Sequence, residues 1–172
     1  RLDAGPLVAA SEKETILPDD TTPLLGSRMA EIGGKLIHDN LPKLLSGDFT
    51  ETEQKDADAT YCRIIKKEEG HIRWDKESAA EIERKLRAFS PWPGISVFYR
   101  LEGNSTNKRR LQFTIAEVVN GNFEPGRIYP ELIVGTLSGG LKILRLKPEG
   151  KQEMDADSFL RGQAQIVGTV LE

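Results

Sequence analysis

From Leu24 onward apolar residues return every third or fourth position: Leu24, Leu25, Met29, Ile32, Leu36, Ile37, Leu41, Leu44 and Leu45. That period predicts a long amphipathic helix ending at Ser46, just ahead of Gly47. "DDTTP" before it supplies an Asp or Thr cap, with Pro23 in the first turn. Pro42 is expected to bend or break the helix. Upstream, "PLVAA" at 6–10 reads as a short strand, and the polar stretch 48–60 as a surface connection. "ATYCRIIKKEEGHIRW" at 59–74 reads as mostly extended with a turn near Gly70. Ser78 and Glu81 then form an S-x-x-E capping box. Ile82, Leu86 and Phe89 line one face of the short helix behind it, and "PWPG" at 91–94 closes the segment.

Beyond Gly94 the period drops to about two. Val97, Tyr99 and Leu101 alternate, "GNSTN" turns the chain, and Leu111, Phe113 and Ile115 alternate again. "GRIYPELIVGT", "GGLKILRL" and "AQIVGTVL" are three more strand candidates. A short helix at "DADSFLRG" is capped by Asp155 or Asp157 and stopped by Gly162. Five short strands at such spacing predict a small closed barrel of the OB kind.

Composition narrows the classes. The chain has 172 residues, 38% of them hydrophobic and 30% charged, with no apolar run long enough for a membrane span. A net charge of −3 recruits no polyanion globally, so nucleic-acid contact must come from a local patch. Cys62 is the sole cysteine, which excludes an internal disulfide and suits a reducing compartment. The spacing of Cys62, His38 and His71 matches no metal-ligand pattern, and no metal is expected. His38 is expected as a surface or partly packed residue of the helix. Arg1 stands where an initiator Met would, and an extended "PLVAA" ordinarily lies inside a sheet. The expectation is a piece of a longer protein that begins mid-domain.

Four stretches carry a family resemblance: "LDAGP" at 2–6, "ATYCRIIKKEEGHIRW" at 59–74, "IERKLRAFSPWPG" at 82–94 and "LKPEGKQEMDADSFLRG" at 146–162. In this order they resemble the C-terminal part of the methionyl-tRNA formyltransferase family, and "SRMAEIGGKLI" at 27–37 is similar to a helix of that family. The resemblance implies an α+β arrangement. Residues 1–50 would end a Rossmann-like α/β formyltransferase domain, 51–93 would form a linker and hinge helix ending in PWPG, and 94–172 would form an OB-like, tRNA-binding barrel. It also implies formyl transfer from 10-formyltetrahydrofolate to the methionyl amino group of initiator tRNA, during translation initiation.

The resemblance makes Asp3 the counterpart of a catalytic Asp, which orients a His and helps relay protons, with Leu2 and Ala4 along the folate pocket. The family's Asn-x-His pair occurs nowhere in these 172 residues, and its Ser-Leu-Leu-Pro segment is absent too, so this chain is expected not to catalyse by itself. For tRNA the resemblance and the charge clusters together single out Lys66 and Lys67 in the linker. In the barrel they single out Lys108, Arg109, Arg110, Lys142, Arg145, Lys147 and Lys151, expected to form one basic face. Trp74, Trp92 and Phe89 fit two roles, stacking platforms for bases or packing that fixes an interdomain angle; their places beside a helix end and a Pro pair favour packing.

The implied setting is a cytoplasmic monomer, or one in an organelle matrix, with tRNA as partner and neither DNA nor membrane. "LSGG" at 137–140 lacks an acidic turn residue usual in the family, and "GNSTNKRR" at 103–110 is a longer, more basic turn. Two readings compete: another folate-dependent formyltransferase, or a non-catalytic RNA-binding module.

Overall fold

The computed structural model describes residues 3–100 and 108–172; Leu2, Leu101 and the expected "GNSTN" turn lie outside them. Contacts divide the chain into two compact units, Arg1–Ile64 and Ile65–Glu172. The sequence puts boundaries after residues 50 and 93 instead. The difference lies in the short helix Ala79–Ala88, which buries Ile82 and Leu86 in the hydrophobic core of the second unit.

In the first unit, α1 spans Thr22–Ser46. The Thr21 hydroxyl accepts from the Leu24 N–H, Pro23 sits in the first turn, and Gly47 in the left-handed conformation (φ 76°) ends the helix. Pro42 does not break it, and the helix runs on to Ser46. None of its residues is buried, and Leu24, Met29, Ile37, Leu41 and Leu45 are exposed. The expected strand at 6–10 reduces to a single bridge, in which Leu7 and Thr52 exchange backbone hydrogen bonds of 2.9 and 2.8 Å. What pins the segment before α1 is charge. Arg28 donates to both oxygens of buried Asp20 (2.8 and 2.6 Å), to Glu14 (2.8 Å) and to the Thr15 carbonyl (3.1 Å). Hydrogen bonding to Asp20 holds the Arg28 guanidinium above its ordinary pKa.

The second unit is a helix packed on an antiparallel sheet. α2 (Ala79–Ala88) begins with the expected box: the Glu81 N–H donates to Ser78 Oγ (3.3 Å), and the Ser78 N–H donates to Glu81 Oε2 (2.8 Å). The Ser78 hydroxyl also donates to Glu81 Oε2 (2.6 Å), and this bond, followed by the one from the Ser78 N–H, holds the Glu81 carboxyl below the usual glutamate range. The strands are β1 (Ile95–Tyr99), β2 (Arg109–Val119), β3 (Ile128–Tyr129), β4 (Ile133–Gly135), β5 (Gly140–Pro148) and β6 (Met154–Asp155). Their order is β1-β2-β5-β4-β3, with β6 on β5. α3 (Ala156–Gly162) is capped by Asp155, which accepts from the Ser158 N–H.

Three strand expectations change. "GRIYPELIVGT" is two strands, because Pro130 cannot donate to a ladder and Glu131 and Leu132 take positive φ (59° and 53°). In β2 the register shifts around Ile115, so Ile115 is exposed and Ala116 packs on the core. "AQIVGTVL" begins as a 3-10 turn at Ala164–Ile166. Its end then bonds to both sides of the sheet: Ile128 with Thr169 and Gly168, and Phe98 with Glu172.

Packing corrects the aromatic residues in part. Trp74 is buried in the core and Phe89 packs on its margin, as expected, but Trp92 is 57% exposed and packs little. The PWPG segment is held by backbone instead. Gly94, with φ 72°, donates to the Phe89 carbonyl (2.9 Å), and Gly70 lies so close that a Cβ there would overlap the Gly94 oxygen.

Gly70→Ala is therefore expected to destabilise the protein by about 1–3 kcal/mol, the usual cost of overpacking. Gly34→Ala, in open space within α1, is expected to stabilise by up to about 1 kcal/mol. Denaturant unfolding of the two variants, read against the parent, checks both signs.

Candidate nucleic-acid interface

Alternation on β1 sends Ile95, Val97 and Tyr99 into the core and leaves Ser96 and Phe98 on the outer face. Register places Arg110 opposite Phe98, and Gln112 opposite Ser96 on one side and Lys147 on the other. Beside them the 3-10 turn Lys67–Gly70 brings up Lys67 and then His71. That turn is fixed at three points: the Lys66 N–H donates to Glu69 (2.7 Å), Gly70 abuts Gly94, and Lys85 of α2 donates to the His71 carbonyl (3.2 Å).

These residues enclose a groove of about 220 Å³, lined by Lys67, His71, Ser96, Phe98, Arg110 and Gln112 together with the Gly70–Gly94 contact. The His71 and Phe98 rings are nearly parallel (17°) with centroids 6.5 Å apart. Lys108 lies 4.6 Å from the centre of the Phe98 ring and pairs with Glu172 (2.9 Å). A larger depression of about 440 Å³ adjoins it, sharing Arg110 and lined also by Arg109, Lys151, Tyr99, Met154 and Phe159.

The sequence-predicted cations thus separate into two sets. Lys67, Arg109, Arg110 and Lys151 line the two depressions, and Lys147 stands beside Gln112; none of these five has an ion pair among the described residues. Lys66 starts the 3-10 turn next to them, and Lys108 borders the groove. Lys142 and Arg145 are different. Lys142 lines a separate depression and is paired with Glu131 (2.6 Å), which raises its pKa and lowers that of Glu131; Glu117 lies further off at 4.0 Å. Arg145 pairs with Glu153 (3.3 Å), whose carboxyl is held low by Thr114 and then by Arg145. Phosphate would have to displace these carboxylates, whereas it meets Lys67, Arg109, Arg110 and Lys151 without an ion pair; Lys147 still feels the charge of Glu153.

The residues expected along the folate pocket lie in the first unit. Asp3 sits at φ 55° in an exposed turn, and its carbonyl and that of Gly5 accept from Gln54 Nε2 (3.0 and 2.7 Å). Ala4 is exposed, and Leu2 lies outside the described residues. Cys62 is exposed, as is His38, which contacts Asp39 at 3.1 Å. Among the described residues no group of three or more His, Cys, Asp or Glu side chains is placed to hold a metal, and no helix is long and apolar enough to cross a membrane.

Sequence reasoning missed His71, Phe98 and Gln112. The available signal was Phe98, an aromatic residue at the outward position of an alternating strand.

Residues 64–164 match the family described as "Formyl transferase, C-terminal domain". The whole chain is 38% identical over 176 aligned residues to a methionyl-tRNA formyltransferase of Dehalococcoides mccartyi, covering 99% of this chain and 53% of that protein. A methionyl-tRNA formyltransferase of Myxococcus xanthus is 36% identical over 172 residues, with 98% and 52% covered. The chain spans about half the length of these curated relatives. Among solved structures, HypX from Aquifex aeolicus is similar with a TM-score of 0.60 at 17% identity, over 90% of this chain and 30% of that one, a likeness of fold alone.

Glu172 offers a check on the electrostatics of the groove's edge. Its hydrogen bond from Lys108, and the charge of Arg100 beside it, hold its carboxyl below the ordinary glutamate pKa. A depressed folded-state pKa means that the pair contributes stability above the unfolded value and loses it as pH falls through the folded one. Carboxyl NMR is expected to find Glu172 titrating below ordinary glutamates, and Lys108→Ala is expected to bring it back up.

Proposed function

We propose, because the chain belongs to the family of formyl transferase C-terminal domains, that it is the C-terminal part of a methionyl-tRNA formyltransferase, working in the cytoplasm as a monomer. The reaction is transfer of a formyl group from 10-formyltetrahydrofolate to the methionyl amine of initiator tRNA. The observation that carries the reading is identity of 38% running through 99% of the chain, rather than through one motif.

Within that enzyme three segments have separate tasks. Residues 1–50 end the Rossmann-like formyltransferase domain, and the stretch 51–93 leads through PWPG into the RNA-binding part at 94–172. The second unit is read as a small OB-like barrel. The hydrogen bonds from residues 168–172 to both β1 and the β3 side support closure of the sheet. Its uncompensated cations support a phosphate-binding face that holds tRNA largely without regard to sequence.

Asp3, with Leu2 and Ala4 beside it, belongs to the chemical half. As the amine nitrogen attacks the formyl carbon an oxyanion forms; the bond to the folate nitrogen then breaks as the carbonyl re-forms, and the proton shed by the amine is delivered to that departing nitrogen. An Asp carboxylate there orients a neighbouring imidazole and stabilises its charge. In the intact source protein Asp3→Asn is expected to lower formylation by about 10²–10⁴-fold, as loss of a general acid–base function does.

The RNA-binding task is tested by tRNA titration across a salt series. Lys67→Glu with Arg110→Glu is expected to weaken binding at least about tenfold, and to flatten the log Kd against log salt slope by about 0.7–0.9 for each phosphate no longer neutralised. Lys142→Ala, already compensated by Glu131, is expected to change neither. Equal effects of the two changes, or a salt-independent affinity, would remove this reading of the face.

A further inference from the structure

We propose that the groove walled by His71 and Phe98 is a slot for a single unpaired nucleobase, so that this face reads whether an RNA segment is single-stranded as well as gripping its phosphates; this rests on the RNA-binding task proposed above. Both rings line the same 220 Å³ groove, nearly parallel at 17° and 6.5 Å apart. That spacing is towards the far end of the range of about 4.5–7 Å over which rings attract one another, so the pair is loose and stacking is left to be gained. Every base presents a flat face to such walls whatever its identity.

The groove also has polar groups for a base edge. The Gln112 side-chain amide lines it and makes no hydrogen bond among the described residues, and Ser96 is its cross-strand neighbour. Lys67 and Arg110 line the same groove with their charges uncompensated, and Lys108 sits over Phe98. A base stacked on Phe98 therefore has cations within reach of its flanking phosphates. A free anionic metabolite or an acidic peptide would use those cations and leave the aromatic walls idle, and a duplex would keep its base faces hidden.

The walls are also rigidly mounted. Phe98 belongs to a strand paired along its length, and His71 follows a turn locked by the Gly70–Gly94 contact and the hydrogen bond from Lys85. The sheet is thus prepared before RNA arrives, which lowers the ordering cost of binding.

The experiment is fluorescence anisotropy on the 172-residue chain with three RNA hairpins: blunt, with a short 3′ single-stranded tail, and with the same tail made abasic. The tail is expected to tighten binding about tenfold and the abasic tail not to. Phe98→Leu and His71→Ala, the second at an exposed position that spares the fold, are each expected to erase most of the tailed hairpin's gain over the blunt one measured with the same variant. Phe98→Tyr keeps the gain. A gain that persists with the abasic tail or in both aromatic variants overturns the slot and leaves phosphate binding intact. No affinity for any of the three RNAs overturns both the slot and the RNA-binding task.

Discussion

Two glycines in backbone contact organise the second unit. Gly70 presses on the carbonyl of Gly94, and Gly94 is in turn backed by the Gln112 amide, where a Cβ would come within 2.5 Å. One short line of atoms therefore joins the turn before α2, the start of β1 and the middle of β2. No side chain could substitute for it, because any Cβ at Gly70 would overlap the Gly94 oxygen. "KEEG" and "PWPG" are separated in sequence by the whole of α2, yet the contact makes them one feature. Lys67 and His71 stand beside the outer face of the sheet because that contact holds.

Charge compensation then decides which cations on the face are available. Lys142 and Arg145 look as basic in sequence as Arg110 or Lys147, and all four lie on the same pair of strands. Glu131 neutralises Lys142 and Glu153 neutralises Arg145, each from outside the strand that carries the cation. Exposed ion pairs of this kind contribute little to stability. Their larger effect is on the field, which is left concentrated at the β1–β2 end of the sheet.

This division marks the limit of what could be read from the chain. α1, the box at Ser78 and Glu81, the Asp155 cap and the strands around Val97, Leu111 and Ile143 were legible, since cap chemistry and periodicity are local. The shift at Ile115 was not, because a bulge is a property of a strand pair. Nor was the split at Pro130, where two residues take positive φ. "PLVAA" looked like a strand on composition and has one bridge partner, Thr52. Trp92 looked like a packing residue and is exposed. Of the candidate site, the cations were legible as types and their compensation was not. The aromatic walls were overlooked because His71 and Phe98 lie on either side of α2 in sequence and meet only through the Gly70–Gly94 contact.

Residues 168–172 bond to β1 on one side and to the β3 side on the other. During synthesis from the amino end, both of those edges exist before the segment that occupies them. Until it has left the ribosome, the nascent sheet carries two open rows of N–H and C=O groups able to pair with a neighbouring chain. Residues 168–172 therefore act as a timed seal on the nascent protein, and their loss would show first as poor yield rather than as a weaker site.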